Sequence, residues 1–175
     1  PNGKDVDADE AADAGFENLS ADLMLALPGQ TEGEAAAAAE RAADLPLRHI
    51  SAYLLKIEPD TPFGRQGIEA RCPDPDAAAD CYLAFSAALE TRGFVHYEIS
   101  NFARPGCESR HNLVYWRLGD YLGLGPSAHS FCGGRRFFFP ASLSDFLAAE
   151  APWALCEDEG AGGTAEAYLI LSLRM

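Results

Sequence analysis

The sequence predicts an α/β fold, with three parallel strands and their covering helices followed by a small α+β extension. Two observations carry this. Between residues 18 and 100, short apolar runs alternate with helical stretches in the order β-α-β-α-β, with short connections. That order is the signature of a parallel sheet with crossover helices. From Arg104 onward it stops, and polar, aromatic, glycine-broken sequence takes over.

Residues 1–15 read as the tail of a helix, with Gly15 placed as a C-cap glycine. "FENLSADLMLALP" then forms a buried strand that Pro28-Gly29 closes. Thr31 is an N-cap, and Glu34, three residues on, completes a capping box for "EGEAAAAAERAADL". "RHISAYLLKIE" is the second strand, and prolines and glycines make a loop of residues 59–75. Asp74 or Asp76 starts a long amphipathic helix that ends at Gly93, and "FVHYEISNFA" is the third strand.

Residues 103–120 look aperiodic, polar and aromatic. Gly133-Gly134 marks a hairpin turn between extended strands, Ser142 caps a short helix, and an acidic, glycine-rich linker precedes the apolar helix "TAEAYLILSLRM". The expected domains are 1–103, 104–155 and 156–175. A helix already running at the start, an unpartnered one at the end and an open sheet edge suggest a fragment of a longer chain.

The 175 residues carry a net charge of −14, and only two of the thirteen basic residues are lysines. Acidity of this size argues against nucleic acid or an anionic membrane as the main partner. No run of about 18 apolar residues spans a membrane, and the acidic, polar amino terminus does not read as a signal peptide. Cys72, Cys81, Cys107, Cys132 and Cys156 are scattered without a C-x-x-C pair. This fits reduced thiols in a cytoplasm and no common zinc or iron–sulfur pattern.

In parallel α/β sheets, functional groups collect at the carboxyl ends of strands. Asp22, Lys56 with Glu58, and Glu98 with Asn101 sit there or within the strands. A carboxylate inside a strand needs donors, and either a neighbouring loop or a polar ligand supplies them to Asp22. Lys56 and Glu58 read equally as a solvated pair. In "SRHNLVYW", His111 has the chemistry to ligate a metal or haem iron, and Tyr115 and Trp116 the shape to lie against a flat macrocycle. The plainer reading is a packed loop with a structural histidine. His129 is equally open, whereas His49 and His96 read as structural.

"DLMLALPGQT", "HISAYLLKIEPDTPF", "HYEISNFARPG", "SRHNLVYW" and "YLGLGPSAHSF" follow one another at a familiar spacing. In these the chain resembles the radical S-adenosylmethionine (SAM) haem chaperones of the HemW family, within the oxygen-independent coproporphyrinogen III oxidase-like group. The resemblance implies the C-terminal half of a partial (β/α)₆ barrel with a [4Fe–4S] cluster and SAM at its mouth. Strands 18–27, 49–58 and 94–100 would be the last three of six. Asp22 matches a carboxylate that contacts SAM, and Lys56 and His129 fall near two further SAM-contact positions.

"HNLVYW" matches an H-N-x-x-Y-W motif linked to haem. This implies His111 as iron ligand, Tyr115 and Trp116 against the macrocycle and Asn112 orienting the loop, while Arg110, just before the motif, has a guanidinium suited to a propionate. There are two departures: Ala26 stands where the family usually has glycine, and the C-x-x-x-C-x-x-C motif is absent. Without those thiolates the chain as given holds neither cluster nor SAM properly.

The function implied is haem binding and delivery to acceptor haemoproteins, membrane-associated ones among them, with a homodimer in the full-length protein. The alternatives are an oxygen-independent coproporphyrinogen III dehydrogenase acting by hydrogen abstraction, and an inert partial barrel.

Overall fold

The computed structural model describes residues 7–175, so the first six residues of the expected helix tail lie outside the described residues. Two compact units divide at Glu108/Ser109. In the first, α1 (Ala8–Asp13) starts within the chain, because the Asp7 carboxylate accepts from the Glu10 amide at 2.8 Å. Among the described residues the expected helix tail is therefore a short, capped helix.

β1 (Leu19–Leu25) pairs in parallel with β2 (Leu47–Leu54) through α2 (Glu32–Asp44). The capping box is present as read: Thr31 accepts from the Glu34 amide, and the Glu34 carboxylate accepts from the Thr31 amide at 2.8 Å. Ala35, Ala39, Ala42 and Ala43 form the buried stripe of α2, so small side chains let this helix lie close to α4 (Pro75–Thr91). Asp74, not Asp76, caps α4, which contributes Cys81, Phe85 and Leu89 to the same core. The loop of residues 59–75 contains a one-turn helix, α3 (Pro62–Arg65), capped by Thr61, and a 3₁₀ turn at Ile68–Arg71. β1 stops at Ala26, a buried residue with φ of 57°, in the left-handed region that glycine enters without strain. The position at which the family usually has glycine is thus one where the backbone favours it.

The third strand departs from the expectation. Residues 94–103 form two strands, β3 (Val95–Glu98) and β4 (Asn101–Ala103), and the sheet order is β1-β2-β4-β3. β4 is antiparallel to both β2 and β3, so the sheet is mixed rather than three adjacent parallel strands. The chain reverses at Ile99 and Ser100. There the Tyr82 hydroxyl donates to the Ile99 carbonyl, the Ser100 carbonyl accepts from the Ala52 amide at 2.7 Å, and the Asn101 amide donates to Glu98. The reversal lets Phe94 and Phe102 both be buried.

In the second unit, "RHNLVYW" is not irregular. It is α5 (Arg110–Trp116), started by the Ser109 hydroxyl accepting from the Asn112 amide at 3.3 Å. β5 (His129–Cys132) and β6 (Arg135–Phe138) form the expected hairpin, with Gly133 and Gly134 at φ of 57° and 76°. Ser142 caps α6 (Leu143–Ala148) as read. The acidic stretch expected to be a linker is β7 (Glu157–Ala161), the third strand of an antiparallel sheet β5-β6-β7. Its acidic side chains meet the arginines of β6: Asp158 pairs with Arg135, and Glu159 with Arg136. Opposite charges across neighbouring strands favour that pairing over a free linker. α7 (Ala165–Ser172) closes the unit.

Candidate functional site

In the first unit the sheet carries a row of polar residues. The register aligns Asp22, Ser51, Asn101 and Glu98 in one row across all four strands. Asp22 is exposed, whereas Asn101 and Glu98 keep only 3% and 2% of their surface. One oxygen of each, Asn101 Oδ1 and Glu98 Oε2, is buried without a partner among the described residues. Below the row, His49 Nε2 meets the Tyr97 hydroxyl at 2.8 Å.

Burial lowers the His49 pKa, and the charges of Asp22 and Glu98 oppose that shift. The unfolded imidazole therefore takes up its proton first as pH falls from its ordinary value near 6.5, and the folded state loses ground there. Stability should be fully present above about pH 6.5 and fall as pH drops toward the depressed folded pKa. Urea midpoints at pH 7.5 and 5.5 should differ less for His49→Gln than for wild type, and equal differences would remove His49 as the cause.

Lys56 lies beyond the end of β2 and pairs with Glu58 at 2.6 Å, with both side chains exposed. This hydrogen bond raises the Lys56 pKa. The geometry is that of the solvated pair, and among the described residues no hydrogen bond or ion pair joins Lys56 to Asp22. His129, in the other unit, is exposed on β5, stacks on Phe138 with centroids 5.2 Å apart and faces Glu159 at 3.4 Å.

The second unit holds a cleft of about 440 Å³. α5 supplies Tyr115 and Trp116, and the sheet side supplies Tyr121, Phe131 and Arg136. The far wall is the apolar stripe Ala167, Ile170 and Leu171 of α7. A Cβ on Gly162 would lie 2.6 Å from the Phe131 ring and 2.8 Å from Arg136 Cγ, so a larger residue there would push on the sheet side of the cleft. Rings continue from the cleft to the surface. Tyr121 meets Tyr115 edge-on at 4.5 Å, and the Tyr115 hydroxyl bonds His111 Nε2 at 2.7 Å. Trp116 carries the Arg174 guanidinium 4.4 Å from its ring centroid. Both Trp116 Nε1 and Arg174 Nε are buried donors without an acceptor among the described residues.

The structure thus brings His111, Tyr115 and Trp116 together on one short helix. Arg110 is exposed at the start of that helix, and Asn112 engages Ser109 through its backbone amide. Sequence reading missed Tyr121, Phe131, Arg136 and the α7 wall. The i, i+3, i+4 spacing of Ala167, Ile170 and Leu171 was the available signal for that wall.

The five cysteines are unpaired, and no three metal-ligating side chains converge among the described residues. This chain's residues do not fit a [4Fe–4S] cluster.

No family model matches the chain. HemW of Mycobacterium tuberculosis (strain ATCC 25618 / H37Rv), a haem chaperone by name, is 35% identical over 174 residues, covering 96% of this chain and 45% of the relative. HemW of Bacillus subtilis is 41% identical over 130 residues, covering 73% of this chain and 34% of the relative. The chain therefore spans less than half the length of these relatives. Among solved structures, the radical SAM coproporphyrinogen III oxidase HemN of Escherichia coli superposes with a TM-score of 0.71 over 95% of this chain and 41% of its own length, at 21% identity. That likeness shows the fold, an α/β arrangement shared with a radical SAM protein. Over the stretch it shares with these relatives, the chain is a HemW-like member of the radical SAM proteins.

Proposed function

We propose that the second unit binds haem and that the chain serves a haem chaperone which passes haem to acceptor haemoproteins. The observation that carries this is the aromatic cleft. It has an apolar helix on one side, Tyr115 and Trp116 of the haem-linked motif on the other, and one arginine on its wall. Flat apolar walls with a few polar groups suit a large aromatic ligand. Trp116 and Tyr115 would lie against the macrocycle. His111, exposed beside them, would offer an imidazole nitrogen to iron, and coordination through Nε2 would displace the Tyr115 hydroxyl. Bound haem would supply the iron, and the protein would supply the ligand, the apolar contact and the exclusion of water.

On this reading Asp22 and the polar row of the first unit would face SAM inside a larger (β/α)₆ barrel. The chain supplies no cluster ligands, so no radical step is assigned to it.

The test is a haem titration of the purified protein followed at the Soret band. Wild type should bind saturably, and His111→Ala should shift the band and weaken binding severalfold. No saturable binding by wild type would overturn the reading, and an unchanged band in His111→Ala would remove His111 from the iron. A coproporphyrinogen dehydrogenase would instead convert propionate side chains to vinyl groups, which product analysis detects.

A further inference from the structure

The aromatic cleft also carries charge that the motif does not explain. Arg136 lies on β6 opposite Phe131, and both line the cleft. Its Nε donates to Glu159 Oε2 at 3.3 Å, and that oxygen also faces His129 Nδ1 at 3.4 Å. Glu159 thus holds the guanidinium from one side, while among the described residues no hydrogen bond engages the two terminal nitrogens of Arg136. A guanidinium fork held through Nε still presents a terminal N–H pair suited to a carboxylate.

A second observation points the same way. Trp116, on the opposite wall, has a buried indole N–H without an acceptor among the described residues. Unpartnered buried donors are costly, and an acceptor group on a ligand satisfies them. In a chain with net charge −14, a cleft whose charged wall residue is an arginine is built against the protein's own electrostatic trend.

We propose that this cleft selects a flat aromatic ligand by its ionised carboxylates, and that Arg136 is the residue that reads them. The proposal rests on the haem reading above and names the part of the ligand recognised. The sequence points to Arg110 for that role. Arg110 does not line the cleft, whereas Arg136 does.

The test compares iron-free protoporphyrin with its dimethyl ester, so that iron ligation plays no part. Binding is read by quenching of tryptophan fluorescence in wild type, Arg136→Gln and Arg136→Lys. Circular dichroism confirms that each variant is folded. Wild type should prefer the diacid by about three- to fivefold, the scale of a partly exposed ion pair. Arg136→Gln should bind both forms alike, and Arg136→Lys should recover part of the preference because it keeps the charge without the planar fork. If Arg136→Gln binds porphyrin with the wild-type preference intact, the assignment of Arg136 is overturned while the haem reading stands. If wild type binds neither form, the haem reading falls, and this proposal with it.

Discussion

Phe102→Ala should destabilise the first unit by about 3–5 kcal/mol, the usual cost of deleting a fully buried phenylalanine ring. Phe102 is fully buried on β4, where the sheet departs from a simple parallel order. His96 stacks on its ring with centroids 4.4 Å apart, and Phe85 of α4 meets it edge-on at 6.0 Å. The same residue opposes Ile50 in β2 and His96 in β3, so its ring ties the antiparallel insertion to the helix layer. Truncation opens a cavity between two strands and a helix that cannot all collapse onto it. In urea, the midpoint should fall with an unchanged m-value. Phe102→Leu, which refills much of the space, should cost clearly less. A loss under 1 kcal/mol for Phe102→Ala would mean that the Ile99–Ser100 reversal does not organise the core.

Much of the first unit was legible in the sequence because its signals are local. Thr31 with Glu34, and Asp74 before Pro75, are caps whose hydrogen bonds form within three residues. The alternation of apolar strands and helices identified β1, α2, β2 and α4. What was hidden depends on partners far along the chain. "FVHYEISNFA" reads as one strand by its apolar content, and bonds from distant residues, Tyr82 to Ile99 and Ala52 to Ser100, help fold it into two. The acidic run at 157–161 has no strand signal of its own, and it pairs because Arg135 and Arg136 face it.

The candidate site divides in the same way. His111, Tyr115 and Trp116 could be picked out because their residue types are out of place in a polar stretch, although the helix that holds them was not foreseen. Tyr121, Phe131, Arg136 and α7 could not be, since each is an ordinary residue until the sheet and helix bring it to the cleft. Asp22 and Glu98 share a row that only the strand register reveals.

Trp116→Ala should weaken haem binding by roughly tenfold or more while leaving the Soret maximum close to that of wild type. The indole forms a wall of the cleft, and a ligand lying on it would cover roughly 60 Å² of apolar surface, worth about 1.5 kcal/mol. That energy corresponds to about a tenfold change in affinity. The substitution also removes the platform under Arg174, whose guanidinium stands 4.4 Å from the ring centroid, and so loosens the end of the chain that follows α7. Trp116→Phe, which keeps a flat ring but removes the buried N–H, should weaken binding less than Trp116→Ala. The contrast with His111→Ala is what identifies the two roles. An iron ligand controls the spectrum, whereas a packing wall controls affinity without touching the iron. If Trp116→Ala binds haem as tightly as wild type, the ligand does not lie in this cleft, and the aromatic pair of α5 is there to seat α7.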